Sequence, residues 1–170
     1  MGRGGSVYER ELKEILRDGH TPASPHAPDG AGSGAPFLVV RAAGSLGFDL
    51  VALRPEFAFP IEVKASHSTA IHFSSASGRA AEQLKTHREE VERVGLLALY
   101  AYRRLGHRKG DPWRMFVAPG PPSRGRLGLL RRRLPPIEST RSGQAVLRWD
   151  RGMALTEFLS CVGELLEQPA

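Results

Sequence analysis

Cysteine is nearly missing from this 170-residue chain. Cys161 is the single one, so an internal disulfide is excluded and an apolar core must hold the fold. The spacing Phe158, Cys161, Val162, Leu165 reads Cys161 as a small core residue. There is no clustered Cys/His set for zinc, and the six histidines show no helical metal spacing. His67 and His72 read as loop residues. No run approaches the ~20 apolar residues of a membrane span, and no apolar core of a secretory signal is seen. Met1-Gly2-Arg3-Gly4-Gly5-Ser6 fits a myristoylation pattern, but it reads as a flexible basic lead because no second anchoring signal accompanies it. The expectation is a cytoplasmic protein with no membrane partner and no small-molecule cofactor. Lysine is scarce as well, with four against twenty arginines, and no internal repeat is visible.

What remains is ordinary for one globular unit. Hydrophobic residues make up 41%, and a chain of this length buries about 70% of its unfolded surface. Residues 1–170 are read as a single domain. The charge is uneven. The net is +6, yet Arg103 to Arg133 holds ten Lys/Arg against one acid, Asp111, a local +9. The rest carries 14 basic and 17 acidic side chains. A clustered basic segment is the electrostatic footprint of nucleic-acid binding. Arg103, Arg104, Arg124, Arg126, Arg131, Arg132 and Arg133 are the candidate DNA contacts, to phosphates and without sequence preference.

The densest chemical signal is Asp49 followed by Ile61-Glu62-Val63-Lys64. Both acids lie in or beside apolar runs, Phe48–Leu53 and Phe57–Lys64, which read as strands buried on both faces. A carboxylate and a lysine there are costly unless paired or bound to a metal. Glu62 and Lys64 share one strand face. A hairpin loop at Arg54-Pro55-Glu56-Phe57 sets Leu53 opposite Ala58 and Asp49 opposite Glu62. Two such carboxylates invite a divalent cation, Mg2+ with Mn2+ as a substitute. Lys64 can orient the attacking water or stabilise developing charge. The competing reading of Glu-x-Lys is a surface ion pair. Pro60 belongs at a strand start or a bulge.

Upstream, Tyr8, Leu12, Ile15 and Leu16 form the stripe of a helix over Ser6–Asp18, stopped by Gly19. Ser6-x-x-Glu9 reads as a capping box, and the alternative for Glu9 is a third carboxylate at the metal site. The map continues with strands at Phe37–Arg41, Phe48–Leu53 and Ala58–Lys64, and a Ser-rich loop at Ala65–Gly78. A helix at Arg79–Val94 follows, capped by Ser77, with Ala80, Leu84, Val91 and Val94 inward; Gln83 reads as a solvent residue, the alternative being contact with DNA or a metal-bound water. Strands are expected at Leu96–Tyr102 and Trp113–Ala118, an edge strand at Gln144–Trp149, and a closing helix at Met153–Leu166. Pro/Gly-rich stretches at 21–35 and 119–143 read as flexible insertions, with Pro119–Pro136 irregular. Arg103–Pro112 lengthens a hairpin.

These segments together resemble the archaeal Holliday junction resolvases of the restriction-endonuclease-like PD-(D/E)xK superfamily. The likeness runs through Gly5–Leu12, Val40–Ser45, Asp49–Ala52, Ile61–Lys64, the helix Arg79–Val94 and the two strands after it. The resemblance implies an α/β fold with a central mixed sheet flanked by helices. It implies a Mg2+-dependent endonuclease that nicks opposed strands of a four-way DNA junction symmetrically, acts as a homodimer, and associates with the nucleoid when bound to DNA. By the same resemblance Glu9, Asp49 and Glu62 match metal ligands, helped by the Val63 carbonyl. Lys64 matches the catalytic lysine, Arg10 and Arg41 match arginines near the scissile phosphate, and Ser45 matches a serine beside the site. The runner-up expectations are a repair or restriction-type nuclease with another DNA preference, and a non-catalytic DNA-binding protein on the same scaffold.

Overall fold

Alternation along the chain sorts the side chains onto two faces of one sheet. Phe57, Phe59 and Ile61, with Leu99 and Ala101, and Trp113, Met115 and Val117, belong to one apolar cluster. Tyr100, Tyr102 and Phe116 belong to a second cluster on the opposite face. This is the two-residue period of strands covered on both sides. The computed structural model describes residues 4–19, 36–42, 47–74 and 79–168, with side chains from Val7 onward.

The elements run α1 (Gly4–Asp18), β1 (Leu38–Arg41), β2 (Leu50–Arg54), β3 (Phe57–Ser66), β4 (Ala70–Phe73), α2 (Arg79–Val94), β5 (Leu99–Arg104) and β6 (Trp113–Val117). They end with α3 (Gly125–Arg133), β7 (Glu138–Ser139), β8 (Ala145–Arg148), β9 (Met153–Ala154) and α4 (Leu155–Glu167). The main sheet has the order β1-β2-β3-β5-β6-β9, and a small sheet has the order β4-β8-β7. β3 and β5 are parallel, and every other pair in the main sheet is antiparallel. The expected α/β architecture with a mixed sheet and flanking helices is therefore present.

α1 and α4 cover the first face. Leu12, Ile15 and Leu16 meet Phe158, Leu159 and Val162 in the same cluster as Phe59 and Ile61. Phe59 is its hinge of aromatic contacts, edge-on to Phe158 at 6.0 Å. α2 and the small sheet cover part of the second face, through Leu84, Val91, Phe73 and Leu147. Each side chain so buried contributes about 1.5–3 kcal/mol of transfer free energy.

The β2–β3 hairpin has the anticipated register, with Leu53 opposite Ala58. Arg54 and Phe57 also pair, so the loop closes to Pro55-Glu56, and Glu56 takes φ 71°. Pro followed by a left-handed residue is the sequence of a type II turn. Pro60 lies inside β3, not at its start. It pairs with Val51, and pairing with β5 begins only at Ile61.

Several expectations need correction. α1 starts at Gly4, so Ser6 lies inside its first turn and is not its cap. β3 reaches Ser66, and the supposed loop after it contains β4. β8 is the middle strand of the small sheet, not an edge. Pro119–Pro136 contains α3, which docks on α4 through Leu127, Leu130 and Leu134. Val94 is 48% exposed, and His87 takes its inward place on α2. Residues 21–35, Ser45 and Ser77 lie outside the described residues.

Candidate active site

Glu62 and Lys64 project from β3 onto the second face of the sheet, where α2 lies above them. Lys64 Nζ donates to Glu62 Oε1 at 2.7 Å and to Gln83 Oε1 on α2 at 2.9 Å. Gln83, for which solvent exposure is the commoner of two expectations, thus stands at the site. Glu62 is 3% exposed. Its other oxygen, Oε2, is buried and has no hydrogen-bond partner among the described residues. Burial pushes the Glu62 carboxyl up to about 7; the Asp49 charge adds to this and Lys64 opposes it.

Asp49 sits just before β2. Its backbone N–H donates to Ile61 O at 3.1 Å, and its Oδ2 accepts from the Val63 N–H at 2.7 Å. The carboxylate is thereby fixed beside the Glu62 position. Asp49, Glu62, Lys64 and the Val63 backbone come together as the spacing anticipates.

His87 is the residue that sequence reasoning missed. It is 1% exposed on α2. Its Nε2 bonds to the Gly47 carbonyl, and its Nδ1 lies 2.7 Å from the Tyr100 hydroxyl. A carbonyl only accepts, so Nε2 carries the proton and Nδ1 accepts from Tyr100. The ring also stacks on Phe48 at 3.9 Å. Burial lowers the pKa of His87 and so keeps it neutral. His87 therefore ties the Gly47–Phe48 approach to Asp49 onto α2 and β5. Its spacing of Leu84, His87 and Val91 was the available signal, since it continues an inward stripe.

The other candidates divide. Glu9 accepts from Arg41 Nη2 at 2.7 Å, and Arg41 pairs with Leu50, next to Asp49. Among the described residues no three of His, Cys, Asp and Glu gather as a metal-ligand group, so Glu9 does not join Asp49 and Glu62 in one cluster. Arg10 is exposed on α1. Arg103 donates to Glu11 at 2.9 Å, which also accepts from Trp113 Nε1. Arg126 pairs with Glu56, Arg131 donates to Gly120 O, and Arg133 pairs with Glu164. Arg124 and Arg132 are exposed. Arg104 lies over the Trp149 ring at 5.3 Å.

The site suits a divalent cation. A buried, unpartnered carboxylate oxygen beside a second carboxylate is a hard oxygen pair in want of positive charge. Asp49 and Glu62 supply two oxygen donors, and the Val63 carbonyl lies on the same strand segment.

No protein-family model matches the chain, and no curated protein sequence gives a significant match. Among solved structures, it is similar to Hjc of Archaeoglobus fulgidus, a Holliday junction resolvase from an archaeal hyperthermophile. The alignment covers 92% of this chain and 95% of that one, with a TM-score of 0.57 and 18% identity. The likeness is one of fold: this chain has the restriction-endonuclease-like architecture of an archaeal Holliday junction resolvase.

Proposed function

We propose that this protein is a divalent-cation-dependent DNA endonuclease that resolves four-way junctions. The observation that carries the reading is Glu62 Oε2, buried without a hydrogen-bond partner among the described residues and 3.9 Å from His87 Nε2, with Asp49 and Lys64 around it on the fold of a junction resolvase. Asp49, Glu62 and the Val63 carbonyl would hold Mg2+, or Mn2+ in its place; Glu9 would become a third ligand only on moving from its bond with Arg41. When bound, the cation supplies an activated water and offsets charge on the phosphoryl group. Lys64, steadied by Glu62 and Gln83, orients that water and balances developing negative charge. Arg41 and Arg10 bind the scissile phosphate. The Glu9–Arg41 pair holds a cation on β1, the strand that pairs with β2. His87 holds the Asp49 segment in place throughout.

A second copy of the chain completes the reading, since paired symmetric nicks follow from a two-fold axis. β1 is an edge strand whose Leu38 is 68% exposed and Val40 48% exposed. Both stand on the face that carries Glu62 and Lys64, so a partner seated there would lie beside the active site.

The test is an immobile four-way junction with each strand labelled in turn, incubated with Mg2+ beside a linear duplex and a Glu62→Gln protein. Paired nicks on opposed strands of the junction, absent with Glu62→Gln, are expected. Equal cutting of the duplex would keep the nuclease and remove the junction. Binding without cutting under Mg2+ and Mn2+ would overturn the catalytic reading.

A further inference from the structure

We infer that the DNA backbone is gripped chiefly by a basic trough built on β5, the β5–β6 hairpin and the end of β8, and less by the arginines of α3. The inference rests on the DNA reading above and specifies the surface it uses.

Two adjoining hollows, of about 490 and 240 Å3, share Arg104 in their walls. Their other cations are Arg148 and Arg151 on one side and Arg108 and Lys109 on the other, against one carboxylate, Asp150. Arg108, Lys109 and Arg151 are exposed and have no ion pair among the described residues. Arg148 has a weak one, 3.4 Å to Glu138. On and beside α3, Arg124 and Arg132 are exposed without an ion pair among the described residues, but the other three arginines are already engaged. Arg126 and Arg133 are matched to Glu56 and Glu164, and Arg131 is turned onto backbone carbonyls. Charge already neutralised by the protein releases fewer counterions on binding DNA. The sequence located a basic excess at Arg103–Arg133 but could not show which of those cations were already used, nor that Arg148 and Arg151 stand beside Arg104.

The trough is also in line with the site. β3 and β5 pair Glu62 with Tyr100, Lys64 with Tyr102, and Ser66 with Arg104. These alternate residues share one face. Arg104 therefore stands about 13 Å along the strands from the Glu62 level, within reach of the same backbone a few nucleotides away.

The trough has a rigid floor. Trp149 is 7% exposed, and its Nε1 donates to Pro112 O at 2.9 Å. Arg104 and Arg114 both lie against its ring, at 5.3 and 3.9 Å. A guanidinium held over a ring in this way loses little freedom on meeting a phosphate. The hollows are wide and contiguous, and their cations are spread along them. That arrangement suits a polyanion better than one small anion.

The test compares Arg108→Ala/Lys109→Ala/Arg151→Ala with Arg124→Ala/Arg132→Ala and the parent. Fluorescence anisotropy with a labelled four-way junction and a linear duplex, over a salt series in EDTA, gives affinity and salt slope. Thermal denaturation confirms that each variant is folded. The trough variant should bind about tenfold or more weakly, on both DNAs alike, with a salt slope shallower by about 2–3. The α3 variant should lose less than about threefold. Parent-like binding by the trough variant, or the larger loss on α3, overturns the inference while a parent that still cuts junctions keeps the nuclease. A parent that neither binds nor cuts DNA overturns both.

Discussion

At the scale of single residues, Glu62 sets the behaviour of the site. Its carboxyl is raised from 4.5 to about 7, chiefly by burial. The folded state therefore holds a proton that the unfolded chain gives up between these values. The resulting stability is complete below the unfolded pKa and is lost as pH rises through about 7. The shift corresponds to a difference on the order of 3 kcal/mol. From pH 5 to 8 the denaturant midpoint of the metal-free protein should fall more, or rise less, than that of Glu62→Gln, because neutral His87 contributes the opposite slope to both. An equal slope in the Gln variant would place the titration elsewhere. Mg2+ should raise the melting temperature of the parent at pH 8 and not that of Glu62→Gln, as a ligand specific to the folded state must. His87 makes a second prediction. His87→Ala leaves the Tyr100 hydroxyl and the Gly47 carbonyl without their partner, each costing about 1–3 kcal/mol. Urea unfolding should show a loss of that size. Cutting should fall more than DNA affinity, because Asp49 loses its support.

Among the elements, α3 and α4 offer a matched pair of glycines. A Cβ on Gly128 would stand 2.4 Å from the Ser123 carbonyl oxygen, a clash with backbone. Gly163 has nothing within 4 Å. Gly128→Ala should therefore destabilise by about 1–3 kcal/mol as the Ser123 segment and the start of α3 are pushed apart. Gly163→Ala should stabilise by about 0.5–1 kcal/mol through helix propensity. Calorimetry of the two variants separates close packing from intrinsic preference; equal effects would refute the close approach of Gly128 to Ser123. The strands that carry Asp49 and Glu62 were legible because charge inside an apolar run is conspicuous. α3 was not, because Pro119, Pro121, Pro122 and Gly125 drew the eye from the Leu127, Leu130, Leu134 spacing that docks it. The false cap at Ser6 has a similar origin: a local motif matched, but the helix began earlier. β4 was hidden by its length of 4 residues and by a partner, β8, more than seventy positions away.

On the scale of the whole molecule, exposed Leu38 and Val40 on an unpaired edge call for cover. Leu38→Glu/Val40→Glu should convert a dimer to a monomer in light scattering and abolish paired nicks before single nicks. A parent that is monomeric at micromolar concentration would remove the symmetric mechanism. Fold class was readable because the hydrophobic periods alternate cleanly. The partners of the arginines were not, since Glu11, Glu56 and Glu164 reach them only through the tertiary fold. The single parallel seam of the main sheet, β3 against β5, has one more consequence, which concerns the order of assembly. The β2–β3 hairpin closes over two residues, whereas joining Glu62 to Tyr100 requires an excursion of about forty residues to fold back, a far costlier closure. Chains released from denaturant would gain the hairpin early and the seam late. Cutting activity should then return with the slowest refolding phase, so that a half-formed chain carries its carboxylates without the means to cut.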